Sequence, residues 1–226
     1  ILIGNKQALH NGPPVMAMLI QNTNPMSVAP DLNKVKQGFL RKNLFTVVHE
    51  QFMTDTAKMA DIVLPATMFL EHDDIYQGGG HNHVQLGPKI IKPPGESRSN
   101  HNVICSIAKK LGLKHRGFYM TPEEILDETL QKSGWGTLDN LKKQKWINAQ
   151  PSFNESHFMN GFAHEDKLWH FKADWQALAK TQFVSKKNID QMPVFPDYFD
   201  INEKTNKKYP FKLITPPARH FLNSSF

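Results

Sequence analysis

Cysteine is nearly absent: the 226 residues carry a single one, Cys105, set inside an apolar helical pattern. A disulfide framework needs a pair and a Cys-x-x-Cys metal site needs its own spacing, so both are excluded, and Cys105 reads as core. Long apolar runs are missing too. The longest, Val15 to Ile20, stops at six residues, against the roughly 18 that a spanning helix takes, which argues against membrane insertion. No Gly-x-Gly-x-x-Gly, P-loop or Gly-x-Ser-x-Gly pattern occurs. Gly78-Gly79-Gly80 has neither a buried strand before it nor a Lys-Ser/Thr after it, so generic NAD, ATP and esterase readings lose their main support. Ile1-Leu2-Ile3-Gly4 lacks an initiating Met and a basic-then-apolar leader, and the last residues follow a strand-like run without a stop signal. A piece of a longer protein is expected.

Present instead is an ordinary globular composition, 39% apolar, 21% charged and 10% aromatic, sufficient at this length for one sizeable domain plus an appendage. The formal charge is +6 and the pI near 9.3. The lysines come in scattered short groups, such as Lys142, Lys143 and Lys145 or Lys207 and Lys208, which reads as a solvated basic surface rather than a nucleic-acid stripe. His81 and His83 sit two apart near His72, but without the carboxylate or cysteine spacing of a zinc site, and no protein-bound metal is expected there.

Along the chain, short β-branched runs alternate with amphipathic stretches. Met16–Ile20 is a continuously apolar run, which predicts a central parallel strand buried on both faces. Asp31 caps a helix with Leu32, Val35, Phe39 and Leu40 on one face. Leu44–Val48 is a second strand reaching His49 and Glu50, and Ile62–Leu64, ending at Pro65, is a third after a short helix from Thr54 or Asp55. Right-handed crossovers make these strands parallel. The Gly- and His-rich stretch to Pro93-Pro94-Gly95, with a possible strand at Val84-Gln85-Leu86, reads as a surface loop system. Asn102–Leu113 is a helix with Val103, Ile104, Ile107, Ala108 and Leu111 on one face and Gly112 as its stop. Thr121-Pro122-Glu123-Glu124 opens another through a capping box. From Pro151 to Pro210 the pattern weakens to a connection, with Trp169, Phe171, Trp175 and Leu178 as packed residues. Phe211–Thr215 reads as a late strand.

In an open parallel sheet, ligands bind beyond the carboxyl ends of the strands, where loop N–H groups and helix N-termini converge. Polar residues cluster there: Asn22, Thr23 and Asn24 after the first strand, His49 and Glu50 after the second, and Thr54, Asp55 and Thr56 before the third. The short amides and hydroxyls suit a phosphate or ribose, and a carboxylate suits ribose hydroxyls or a guanine N1–H and N2–H2. The plain structural alternatives are an Asx-turn at Asn22–Asn24, a solvent-facing Glu50, and helix capping by Thr54, the last being favoured.

The order of these motifs resembles the bacterial molybdopterin oxidoreductase superfamily, which includes formate dehydrogenases, periplasmic nitrate reductases and dimethyl sulfoxide reductases. The most specific stretch is Thr54-Asp55-Thr56-Ala57-Lys58-Met59-Ala60-Asp61-Ile62-Val63-Leu64-Pro65 followed by Glu71, similar to the family's T-x-T-A-x-x-A-D-I-V-L-P…E segment. Asn22-Thr23-Asn24-Pro25 with Pro30-Asp31 resembles its N-P…P-D loop, and Pro94-Gly95-Glu96-Ser97-Arg98-Ser99-Asn100 its P-G-E-x-x-S-[ND] turn. Gly78–His83 replaces the common N-x-E-G-R pattern and is closer to the S-Y-G-H variant of one branch.

The resemblance implies a Rossmann-like, three-layer αβα domain with a mainly parallel sheet over 1–150, an irregular connection over 151–209, and over 210–226 the first strand of the family's C-terminal β-barrel. It implies bis-molybdopterin guanine dinucleotide with molybdenum or tungsten as cofactor. Thr23, Asn24, His49, Glu50, His72 and Asn100 would touch one guanosine-diphosphate arm, and the loop holding Thr215, Arg219 and His220 the pterin. Relatives commonly have Lys in place of His72 and Asp in place of Asn100. The metal ligand and any iron–sulfur cluster would lie in preceding sequence, so this piece alone would be inactive. Its partners would be the rest of its polypeptide and an electron-transfer subunit, in the cytoplasm or periplasm of a bacterium. The rival readings are a free-standing Rossmann-like nucleotide-binding module and an NAD-dependent dehydrogenase domain, the latter lacking a glycine-rich first turn.

Overall fold

β-branched and aliphatic residues separated by one amphipathic helix build a parallel sheet at the start of the chain. In the computed structural model, which describes residues 2–5, 9, 11–181, 189–198, 202–216 and 219–220, strands β1 (Ala17–Gln21), β2 (Phe45–Glu50) and β3 (Ile62–Pro65) pair in that order, all parallel. Ile20 lies level with Val48, and Val48 with Val63. Helix α1 (Pro25–Val28) and helix α2 (Leu32–Phe39) join β1 to β2, and a 3-10 turn at Ala57–Met59 joins β2 to β3. The stretch near Thr54 is therefore a single tight turn rather than a helix.

Both connections advance the same way across the sheet, so right-handed crossover puts them on one face. There Ile20, Val48, Phe39 and Ala57 form a buried cluster with Val35, Met59 and Val63 packed against it. Side chains alternate across a strand, and the other face carries Leu19, Phe45 and Ile62 at 42, 48 and 44% exposure. The apolar run of β1 thus sits at the edge of the three strands, not at the centre, and is buried on one face. Gly38 has a packing reason: a Cβ there would stand 2.4 Å from Leu2 Cδ2. Arg41 pins the same corner, donating to Leu2 O at 2.7 Å and Val15 O at 3.1 Å.

Within the Gly- and His-rich stretch the possible strand at Val84–Leu86 is present, extended to His83–Gly87, and it is the centre of a sheet rather than part of a surface loop system. Strands β4 (Asp74–Gln77) and β5 (His83–Gly87) pair antiparallel, and β5 also pairs with β6 (Trp146–Asn148). Central Val84 is 1% exposed. Tyr76 lies so close over Gly87 that a Cβ would stand 2.1 Å from its ring, which gives this strand glycine its place. The alternation is short and interrupted by polar residues, and its partner β6 lies about sixty residues on, which is why the local pattern hides the sheet.

Helix α3 (Asn100–Lys110) begins two residues earlier than its apolar pattern, capped by Ser99 Oγ, which accepts from Asn102 N at 3.3 Å. It buries Val103, Cys105 and Ala108, while Ile104, Ile107 and Leu111 are exposed, so its buried stripe is rotated from the expected face. Gly112, at φ +72°, closes it. Helix α4 (Pro122–Lys132) has the capping box in full: Thr121 Oγ1 accepts from Glu124 N, and Glu124 Oε2 accepts from Thr121 N at 2.7 Å. With helix α5 (Leu138–Gln144) it buries Leu130, Leu138 and Leu141 against Ile75, Leu86 and Ile147 of the antiparallel sheet.

Packing divides the chain after Gln150, and Pro151–Pro216 forms a second compact unit. It contains short helices α6 (Phe153–Ser156) and α7 (Trp175–Thr181). Trp175 Nε1 donates to Pro193 O at 2.6 Å, but Trp169, Phe171 and Leu178 are exposed. Phe211–Thr215, predicted as a strand, has no ladder partner among the described residues. Phe211, Leu213 and Ile214 are 80 to 91% exposed, and a strand without a neighbour to bond is not held. The expected continuation of the barrel lies largely outside the described residues. Among the described residues no helix is long and apolar enough to cross a membrane.

Candidate functional site

Asn22 ends β1 in the left-handed region, φ +55°, a conformation that asparagine tolerates better than other non-glycine residues. It faces a cleft of about 460 Å³, within the roughly 300–1,000 Å³ of small-molecule sites, whose walls come from the carboxyl ends of all three parallel strands. Gln51 after β2 and Ala66 and Thr67 after β3 contribute the floor; Ser99, Asn100 and His101 bring the N-terminus of α3; His72 and Asp73 lead into β4, which adds Asp74 and Tyr76. Helix geometry leaves the first N–H groups of α3 without intrahelical partners, and they carry the positive end of the helix dipole. Asn22, His72 and Asn100, far apart in sequence, therefore share one cleft.

The other expected residues have different work. His49 is fully buried. Gln21 Nε2 donates to its Nδ1 at 2.8 Å, so the proton sits on Nε2, which donates to Arg98 O at 3.0 Å. The ring thereby ties β1 and β2 to the segment before α3, where Arg98 also bonds Pro65 O and Thr67 N. Glu50 lies outside the cleft lining, and its Oε1 accepts from Gln51 N at 2.7 Å. Asn24 Oδ1 accepts from buried Thr56, from Oγ1 at 2.7 Å and from N at 3.3 Å, and Thr56 Oγ1 accepts from Met26 N at 3.0 Å. Thr54 Oγ1 accepts from Ala57 N at 3.1 Å, a local cap. Thr23 is exposed beside the cleft-lining Asn22. Thr215 is exposed in the second unit, and Arg219 and His220 form an exposed turn; none of these lines the cleft.

The family-like stretch marked two carboxylates, Asp61 and Glu71, without a role, and both support the backbone. Asp61 Oδ2 accepts from Thr46 N at 2.7 Å and its own N–H donates to Thr46 O at 2.9 Å, extending the ladder at the start of β2. Buried Glu71 accepts from Met68 N at 3.0 Å and donates its N–H to Met68 O at 2.9 Å, closing the turn that delivers His72. His72 in turn meets Thr67, Nδ1 to Oγ1, at 2.9 Å. Tyr76 has its phenol pushed above the ordinary value, by burial first and by the Asp74 carboxylate second.

A family model, "Molybdopterin oxidoreductase", matches residues 3–110, the segment that builds the parallel sheet, the cleft floor and α3. A probable oxidoreductase of Bacillus subtilis, YoaE, is 33% identical over 223 residues, 96% of this chain and 31% of that protein. The chain belongs to the molybdopterin oxidoreductase family. The F420-dependent formate dehydrogenase subunit alpha of Methanocaldococcus jannaschii is 29% identical over 207 residues, 91% of this chain and 28% of that protein. Acetylene hydratase from Pelobacter acetylenicus shares the fold, with a TM-score of 0.59 at 20% identity, covering 78% of this chain and 24% of that one. The chain spans about a third of the length of the curated relatives it matches.

Among the described residues no group of three or more His, Cys, Asp or Glu is arranged to hold a metal ion. The lining offers amides, hydroxyls and a helix N-terminus, with two imidazoles and two carboxylates and neither lysine nor arginine among its described residues.

Proposed function

We propose that this chain is the part of a molybdenum- or tungsten-pterin oxidoreductase that holds the guanosine-diphosphate arm of a molybdopterin guanine dinucleotide. The observation that carries the reading is the convergence of Asn22, His72 and Asn100 on one cleft at the carboxyl ends of a parallel sheet, the place where such sheets bind nucleotides. The diphosphate would lie against the N-terminus of α3, where unpaired N–H groups and the dipole favour negative charge without a cationic side chain. Asn22, Ser99 and Asn100 would bond ribose and phosphate oxygens. When bound, the cofactor supplies the redox chemistry, an oxygen-atom or hydride-equivalent transfer with electrons, while these residues supply affinity and orientation.

In this account the remainder of the polypeptide carries the metal ligand and any iron–sulfur cluster, and any electron-transfer subunit is a separate chain. Asn100→Leu in the full-length protein should lower the guanine nucleotide retained per polypeptide by about tenfold, the loss of roughly one hydrogen bond to a charged group. Nucleotide content equal to that of the unaltered protein would contradict the assignment.

A further inference from the structure

The second unit, Pro151–Pro216, contains a cavity of its own that the nucleotide reading leaves unused. Trp169, Phe171, Trp175 and Phe195 line a space of about 820 Å³, in which Asp197 is the one carboxylate and neither lysine nor arginine is found among the described lining residues. We propose that this cavity binds an organic cation, a fully alkylated ammonium group carried on an apolar body.

Aromatic rings carry negative charge density on their faces, so several rings around one space attract a cation more than a neutral group of the same shape. Among the described residues the four lining rings make no ring contact with one another, and so they border the space instead of filling it. The two indoles are held. Trp175 Nε1 donates to Pro193 O at 2.6 Å, which ties the start of α7 to the segment that carries Phe195 and Asp197. Trp169 lies 5.2 Å from Phe162, ring to ring, and Phe162 stacks on Phe158 at 4.8 Å. The charges agree with the rings. Asp197 Oδ1 accepts from Tyr198 N at 2.7 Å, and among the described residues the carboxylate has no cation paired with it. His170, also in the lining, has its own carboxylate, with Nε2 2.7 Å from Asp166 Oδ2. A primary ammonium would bring three N–H donors into a lining poor in acceptors, and leaving them unmet is costly. A fully alkylated nitrogen has no such donors, and Met192 and Val194 supply apolar wall for the body that carries it.

The test titrates the full-length protein with choline and with its carbon isostere, in which a tert-butyl group replaces the trimethylammonium group and only the charge is lost. Binding is read by calorimetry and by indole fluorescence. The unaltered protein should bind choline saturably and about tenfold or more tightly than the isostere. Trp169→Leu keeps an apolar wall without the ring face, and should weaken choline by about tenfold while changing the isostere less than about threefold. Asp197→Asn should weaken choline by about threefold to tenfold. Equal binding of choline and the isostere by the unaltered protein overturns the proposal and leaves a plain apolar groove. Absence of saturable choline binding also overturns it, as when the remaining polypeptide fills the cavity, and so does a Trp169→Leu protein that binds choline unchanged. Should Trp169→Leu fail to fold, the ligand comparison and exposed Asp197 decide between the outcomes. None of these results bears on the nucleotide-arm cleft, whose own test is retained guanine nucleotide.

Discussion

His49 shows how a residue at a ligand-binding strand end can serve the frame instead. Both ring nitrogens are engaged, by Gln21 and by Arg98 O, and the side chain has no exposure. His49→Leu would leave the Gln21 amide without this partner and take from Arg98 O one of its two donors, so it should cost about 1–2 kcal/mol in chemical denaturation; a loss within experimental error would show that the bonds do not hold the strand ends together. Thr56 plays the matching part for the loop after β1, through Asn24 and Met26. Half-buried Glu128 gives a pH prediction. Hydrogen bonds from Lys132 first and Arg116 second hold its carboxyl below the ordinary 4.5. A depressed folded value means that its contribution is present above pH 4.5 and is lost as pH falls through the lower folded value. An NMR titration should put the Glu128 midpoint below 4.5, and Lys132→Ala should move it up.

Among elements, those with local signals were the legible ones. The Thr121–Glu124 capping box is complete, and Thr121→Ala should destabilise by about 1 kcal/mol, read as a lower denaturant midpoint; an unchanged midpoint would mean that α4 is held by packing alone. The three parallel strands were legible from β-branched runs, and their direction from crossover handedness. What escaped was whatever depends on distant partners. β5 is central only because β6 comes back from Trp146, and α3 buries Cys105 as expected but leaves Ile104 and Ile107 exposed because its neighbours, not its own periodicity, choose the face. The same holds for the site. Asn22, His72 and Asn100 were within reach of motif resemblance, as were Asp61 and Glu71 by position, whereas the bonds that these two carboxylates make to backbone are not encoded in residue spacing. Phe211–Thr215 marks the opposite error, since β-propensity made a strand where the described residues offer no neighbour.

At the scale of the molecule, the parallel sheet has its helices on one face and apolar Leu19, Phe45 and Ile62 on the other, although parallel sheets are ordinarily covered on both. The relatives are about three times as long as this chain, and in the proposed account the whole polypeptide would complete both the sheet's cover and the redox centre. The central claim is that the cleft holds a guanine nucleotide belonging to a metal-pterin cofactor. Its most direct test is the metal and acid-released guanine nucleotide content of the full-length protein, made in a host that assembles the cofactor. The account predicts molybdenum or tungsten together with about two guanine nucleotides per metal; protein from such a host that carries neither metal nor guanine nucleotide would contradict it.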